Sequence, residues 1–235
     1  MKSNQDIIND ILGSDNIVFL TGAGVSTLSG IPDYRSMSGL YHTNKKAEYL
    51  LSHSCFINEP TEFYEFVKLL YHLDAKPNII HQSMAQLSLI KKVTIITQNI
   101  DDLHLHNKAT NVILFHGSLY DLYCTKCHQK ISVNDYLNSN RHDKDNGLIR
   151  PNVVLYEESL DENVINESIA AISKANMIIV VGTTLQVYPF ASLVNYAKSD
   201  ARIILINNEE TAYNNYHDIV IGDAAIFFKE LSEHI

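Results

Sequence analysis

Six short runs of branched apolar residues, at 17–20, 93–96, 112–114, 177–181, 203–206 and 218–221, limit the fold more than any other feature of the sequence. Most are apolar at successive rather than alternate positions, so both faces of the resulting strand must be covered. Between them lie helical patterns. The stretch 62–73 places Phe63, Phe66, Val67, Leu70 and Leu73 on one stripe, and 164–171 and 224–231 flank the later strands. This alternation predicts an α/β fold, a doubly wound, Rossmann-like parallel sheet. In such a sheet ligands sit beyond the carboxyl ends of the strands. Two stretches, about 32–88 and 118–150, break the alternation and predict a small inserted lobe; the large lobe then comprises about 1–31, 89–117 and 151–235.

The length of 235 residues fits one large domain with an insertion. Lys+Arg 18 against Asp+Glu 27 gives a net charge of -9, and no basic run exceeds Lys45-Lys46 or Lys91-Lys92. Nucleic acid and anionic membrane are therefore poor partners, and an anionic ligand must be held locally by backbone N–H groups or single arginines. Cys55, Cys124 and Cys127 do not make a secreted disulfide framework, which points to a reducing cytoplasm. The N-terminal residues carry no secretory signal, and Ile7, Ile8, Ile11 and Leu12 recur at helical spacing. The most apolar run, 177–181, is too short to span a bilayer. A cytoplasmic monomer is expected.

The polar clusters follow the strands. Gly22-Ala23-Gly24 after the first run allows close approach of a pyrophosphate, with a helix N-terminus over 25–28 expected to favour the anion. The full dinucleotide fingerprint would need a glycine at Thr27, so an ordinary strand-to-helix turn is an equal alternative. The loop that follows carries Asp33, Tyr34 and Arg35, an acid, an aromatic and a cation able to meet phosphate and ribose. The second run ends in Gln98, Asn99 and Asp101, groups that are costly to bury unless they hold a partner. His116-Gly117 ends the third; a lone histidine is more often structural, but this position favours acid/base work. Gly182, Thr183 and Thr184 make a second phosphate-compatible turn, followed by Asn207 and, later, Asp223.

Taken in order, residues 22–36, 97–101, His116-Gly117, Cys124 to Cys127, 150–154, 182–187 and Asn207 resemble the sirtuins, bacterial-type NAD-dependent protein-lysine deacylases. The resemblance spans nearly the whole chain. It implies that Ala23, Asp33, Tyr34 and Arg35 belong to a loop closing over NAD, with Tyr34 where the family usually has Phe. It places Gln98 on the nicotinamide ribose, Asn99 and Asp101 around nicotinamide, Gly22, Gly24, Gly182, Thr183 and Thr184 at phosphate, and Asn207 and Asp223 toward adenosine. The implied reaction begins with attack of the acyl-lysine oxygen on the nicotinamide ribose as nicotinamide leaves. His116 then acts as general base on the ribose hydroxyls, and the products are free lysine and O-acyl-ADP-ribose. The peptide is expected to add as a strand along Val153, Val154, Tyr156 and Glu158.

The sequence departs from the family in the small lobe. Structural zinc there usually takes two Cys-x-x-Cys pairs, and only Cys124 and Cys127 are present. His142 and Asp145 fall at the place and spacing of the second pair, and zinc accepts imidazole and carboxylate, with His128 as another candidate. The alternative is that the site is lost and 138–146 is a bare polar loop. Asp102 and Glu157 stand where the family usually has glycine; Glu157 would favour basic peptides if it points into the channel. No Tyr-x-x-Arg pair is evident to select acidic acyl groups, so acetyl or longer neutral acyl is the default. Two other readings keep the same pocket: ADP-ribosyl transfer or NAD hydrolysis, and a binding module for NAD or ADP-ribose without turnover. An oxidoreductase is disfavoured, because no acidic residue stands about 20 residues after the glycine turn.

Overall fold

The computed structural model describes residues 2–32, 45–211 and 213–235. Asp33, Tyr34 and Arg35 lie outside the described residues. In chain order the elements are α1 (Asn4–Gly13), β1 (Asn16–Thr21), α2 (Ala47–Leu50), α3 (His53–Asn58), α4 (Pro60–Lys68), α5 (Ile79–Ile90), β2 (Lys92–Thr97), α6 (Leu103–His106) and β3 (Val112–Leu114). They continue with β4 (Gly117–Cys124), β5 (Lys130–Ile131), α7 (Val133–Asn138), β6 (Ile149–Val153), α8 (Glu162–Ile172), β7 (Met177–Val181), β8 (Arg202–Asn207), β9 (Asp218–Ile221) and α9 (Ala224–Ser232).

Each of the six apolar runs lies within a strand of one parallel sheet, ordered β3-β2-β1-β7-β8-β9. This is the dinucleotide-binding order, and the strand order reverses between β1 and β7, where such sheets open a crevice. Register aligns the strand ends: Thr21 lies opposite both Thr97 and Val181, and Thr97 opposite Leu114. The residues after these strands therefore share one rim.

The uninterrupted apolar runs are explained by helices on both sides. Met177, Ile179 and Val181 face α1, α5 and α9, through Ile7, Ile11, Met84, Phe227 and Phe228, while Ile178 and Val180 face Ile172 of α8 and the 3-10 segment Phe190–Tyr196. Each such side chain removed from water contributes about 1.5–3 kcal/mol. The two-sided burial rather than strand propensity fixes the sheet.

The boundary expected at residue 88 moves. Helix α5 buries Ile80, Met84 and Leu87 in the large-sheet core and packs on α9, so it belongs to the large layer. Its amphipathic pattern is weak in the sequence because Ser83 and His81 occupy buried positions. Helix α4 also ends at Lys68, earlier than the stripe over 62–73 suggests, and Leu73 is exposed. The second core gathers Phe56, Phe63 and Phe66 with Leu119, Leu122, Tyr136 and Ile149 around an antiparallel sheet ordered β5-β4-β6. No helix among the described residues is long and apolar enough to cross a membrane.

Candidate active site and metal centre

The glycines after β1 serve a contact that sequence reading missed. Gly24 N–H donates to Gly182 O at 2.9 Å and Gly22 N–H to Val181 O at 3.3 Å, so the turns after β1 and β7 pack backbone to backbone. A Cβ on Gly24 would stand 2.7 Å from Gly182 Cα; one on Gly182, at φ +61, would stand 2.6 Å from Val25 N. The expected helix N-terminus is absent. Two 3-10 turns, Ala23–Val25 and Thr27–Ser29, end at Gly30 in the left-handed region, because a helix would carry the chain away from this contact. A full helix dipole is therefore not available to the ligand.

Beside this seam, Gly24, Thr27, Leu28, Ile80, Gly182, Asn207, Asn208, Asp223 and Ala224 line one pocket at the sheet's switch point. Of these, Gly24, Gly182, Asn207 and Asp223 were expected from sequence. Asp223 also caps α9, its carboxylate accepting from Ala225 N–H. Asn207 donates to Glu209 O at 2.8 Å. Ile80 and Leu28 carry no sequence signal beyond apolarity; only packing brings them there.

The ends of β2 and β3 bring Gln98, Asn99, Asp101 and His116 together. The His116 Nδ1–H donates to Gln98 O at 3.2 Å, since a carbonyl can only accept, and this leaves Nε2 as the unprotonated nitrogen. Burial lowers the His116 pKa, against the smaller raising effect of the Gln98 bond, and so keeps the ring neutral. Asn99 donates to Gly22 O and to Ser26 Oγ, both at 3.1 Å. Ser26 Oγ in turn donates to Asp101 Oδ2 at 2.6 Å, and Leu103 N–H donates to Oδ1 at 2.9 Å. Burial pushes the Asp101 pKa up, partly offset by these two bonds. Ser26 was not singled out from sequence; its sole signal is its place two residues after the glycine turn. Gln98 donates to Thr183 Oγ1 at 2.8 Å, joining the two strand ends across the cleft.

Part of the backbone of the expected peptide strand is engaged within the protein. Val153 pairs with Gly117 in the small sheet, Val154 N–H donates to His116 O, and Tyr156 both donates to Leu51 O and accepts from His53 N–H. A guest strand cannot use these N–H groups again, while each carbonyl can accept a second hydrogen bond. Glu158 faces inward: Arg150 holds it at 2.6 and 3.0 Å, and Leu155 N–H donates to it at 3.0 Å. Burial would raise its pKa, but these bonds outweigh it and bring the group down to about 2. Glu158 thus anchors the loop. Glu157, at φ +74, does not point into a channel; it accepts from Ser54 N–H at 2.9 Å.

In the small lobe, Cys124, Cys127, His142 and Asp145 converge, their donor atoms all within 4.8 Å of one another. Cys127 Sγ lies 3.4 Å from His142 Nδ1, Cys124 Sγ 3.4 Å from Asp145 Oδ1, and His142 Nδ1 3.2 Å from Asp145 Oδ1. A tetrahedral zinc with ligands at its usual bond lengths has edges of about 3.3–3.8 Å, so these spacings fit. Gly147 makes the approach possible, for a Cβ there would lie 2.5 Å from Cys124 Sγ. His128 is outside the cluster and stacks on Tyr123 instead.

A family model described as Sir2 family matches residues 22–189. The NAD-dependent protein deacetylase of Listeria innocua is 48% identical over 219 residues, covering 93% of this chain and 96% of that protein. The protein of the same name from Enterococcus faecalis is 45% identical over 230 residues, covering 98% and 97%. Among solved structures, one described as bearing on sirtuin substrate affinity superposes with a TM-score of 0.90 at 33% identity, covering 100% of this chain and 99% of the other. A Sir2 homologue in complex with NAD gives a TM-score of 0.89 at 34% identity, covering 98% and 93%. With the strand order, the glycine seam and the histidine at the strand end in place, these likenesses assign the chain to the Sir2 family, the sirtuins.

Proposed function

We propose that this protein removes acetyl or related neutral acyl groups from protein lysines at the expense of NAD. The observation that carries this reading is the neutral His116 ring, fixed through Nδ1 on Gln98 O at the strand ends that also carry Asn99 and Asp101, with Nε2 left unprotonated. Relatives and structural neighbours support it: they are named NAD-dependent protein deacetylases, or bind NAD and a p53 peptide together.

The residues present fit NAD. Gly24, Gly182, Asn207 and Asp223 line the pocket that would take the adenosine half, beside the seam that brings the turns after β1 and β7 together. Gln98, Asn99 and Asp101 would hold the nicotinamide half. A carboxylate accepts up to about four hydrogen bonds, so Asp101 can accept from a carboxamide while keeping Ser26 and Leu103. When bound, NAD supplies an activated bond between ribose and nicotinamide. His116 Nε2 takes a proton from a ribose hydroxyl, and Gln98 O stabilises the charge that then forms on the ring. The substrate backbone meets the segment that follows β6, using groups other than the engaged N–H of Val154 and Tyr156. Zinc held by Cys124, Cys127, His142 and Asp145 would stabilise the small lobe and takes no part in the chemistry.

The test is to mix the protein with NAD and an acetyl-lysine peptide and follow nicotinamide and peptide mass. Nicotinamide release that depends on the peptide, with loss of one acetyl group, is expected. Equal release without peptide, and no deacetylated product, would overturn the reading in favour of NAD hydrolysis or ADP-ribosyl transfer.

A further inference from the structure

The loop that leaves β6 is closed on itself by one ion pair. Arg150 Nη1 and Nη2 donate to the two oxygens of Glu158 at 2.6 and 3.0 Å, Nη2 donates also to Val153 O at 2.8 Å, and Nε donates to Pro151 O at 3.3 Å. Glu158 accepts in addition from Leu155 N–H at 3.0 Å and from His53 Nδ1–H at 3.1 Å. Among the described residues, every hydrogen-bond partner of the guanidinium therefore falls between 151 and 158. Cohesion alone does not explain such a pair. The side chains of Arg150 and Glu158 are 9% and 23% exposed, and the desolvation of two charges offsets most of their attraction, so an apolar pair of similar volume would hold the loop as firmly. What an apolar pair lacks is direction. A planar fork with fixed donors sets where Val153 O and the Glu158 carboxylate stand relative to one another, and the carboxylate in turn sets Leu155 N–H.

The place of the loop gives that precision a use. At one end it is tied to the strand-end histidine: Val153 pairs with Gly117, and Val154 N–H donates to His116 O at 2.9 Å. Farther along it is stapled to residues 51–54. Tyr156 N–H donates to Leu51 O and His53 N–H to Tyr156 O, both at 3.0 Å, and Ser54 N–H donates to the Glu157 carboxylate at 2.9 Å. We propose that Arg150 and Glu158 are positioning residues for the acyl-lysine substrate: their ion pair fixes the shape of 153–158 in advance, so that the peptide main chain meets a preformed segment beside His116. A loop already in its bound shape spares the peptide the cost of ordering it. The pair acts through the loop main chain, and the proposal rests on the deacylase reading above.

Arg150→Met combined with Glu158→Leu removes the pair without leaving one charge buried alone, so the protein should stay folded, as a thermal melt will show. In this double variant the KM for an acetyl-lysine peptide should rise about tenfold or more, while kcat and the KM for NAD change by less than about threefold, the pattern of lost ground-state binding. The amides of Leu155 and Glu158 should also exchange hydrogen faster than in the wild type. Arg150→Lys keeps the charge but not the fork, so its peptide KM should stay raised. Glu158→Gln keeps an acceptor for Leu155 N–H and should raise the peptide KM less than the double variant does. An unchanged peptide KM in the folded double variant overturns the proposal, as does a fall in kcat alone. If the double variant does not fold, a wild-type peptide KM in both Arg150→Lys and Glu158→Gln overturns it. Wild-type protein that releases no nicotinamide in response to the peptide overturns the deacylase reading and this proposal with it, whereas active wild type beside an unaltered variant overturns this proposal alone.

Discussion

The strand-end cluster and the metal cluster lie at opposite ends of one strand, yet they are built on different principles. His116 immediately precedes β4, and Cys124 closes it. At the first end, side chains are set by parallel strands whose ends are in register, buried under helices on both faces and joined by hydrogen bonds between segments far apart in the chain. At the second, two short loops meet, Cys127 is exposed, and the pieces are held chiefly by local turns such as His142 N–H to Gly147 O. Between the two ends the β4–β6 ladder slips register, from Ser118 to Leu122. The lesson is that the strand-end groups are placed by the sheet, whereas the four candidate metal ligands are brought together by short loops and local hydrogen bonds.

The largest effect that can break this comparison is at His116. His116→Ala should lower deacetylation by ~10²–10⁴-fold with NAD binding retained, the range for a positioned proton acceptor. In the wild type, burial holds the ring below its ordinary pKa of about 6.5, so the acid limb of turnover should fall below that pH. A limb above it would show that the ring is not buried neutral. Next comes the metal. The protein should carry about one equivalent of zinc by elemental analysis, and Cys124→Ser should lose it and lower the thermal midpoint by roughly 5–10 °C. NAD binding by titration calorimetry should survive that loss if the sheet site stands alone. Zinc below a tenth of an equivalent, give or take about a factor of two, would leave the loops without their fastening and sink the metal reading.

A smaller effect probes the glycine seam. Gly24→Ala puts a methyl group against the Gly182 backbone, which cannot move aside, and should cost about 1–3 kcal/mol in a denaturant titration. An unchanged midpoint would mean that the seam is looser than the strand ends require. The smallest effect is acid sensitivity of the large lobe. His81 and His104, both buried with rings 4.7 Å apart, support β1 from below, His104 sharing a hydrogen bond with Thr21. Burial lowers His81 to about 4 and holds His104 well below its ordinary value, with a smaller contribution from His81. The unfolded chain therefore binds more protons below about pH 6.5, so stability rises with pH through that window and is lost as the pH falls. The two should together lower stability by roughly 1 kcal/mol between pH 7 and pH 6. A flat melting profile over that range would contradict their burial as neutral rings.

Much of the strand-end site was legible because strands and their ends are local. A run such as 177–181, apolar at every position, has one economical use in a chain with helices on either side, and the polar groups after it then fall at the rim. Asn99, Asp101 and His116 could be named on that argument before any contact was known. Helix α5 was missed because its buried face includes Ser83 and His81, whose partners, the Phe228 carbonyl and the Asn78 N–H, are supplied only by folding. Glu158 was read as a substrate group because it falls in the segment that the family resemblance assigns to the peptide; its bidentate partner Arg150 lies in β6, eight residues earlier, and points back at it only once the loop has turned. The candidate metal ligands were legible from their spacing and their place in the family's pattern, since nothing local says that 124–127 and 142–145 face one another.

The sequence by itself determined the alternation of strand and helix, the parallel sheet, the rim at which ligands bind and the chemical character of the residues there, because these follow from periodicities and strand ends a few residues long. Tertiary structure alone decided which glycines face each other, since Gly24 and Gly182 meet only where β1 and β7 lie side by side. It also decided which acids are spoken for: Glu158 by Arg150, Glu157 by Ser54, Asp102 by Ser118. The physical reason is that a carboxylate's role is set by the donor nearest to it after folding, and that donor comes from another segment of the chain.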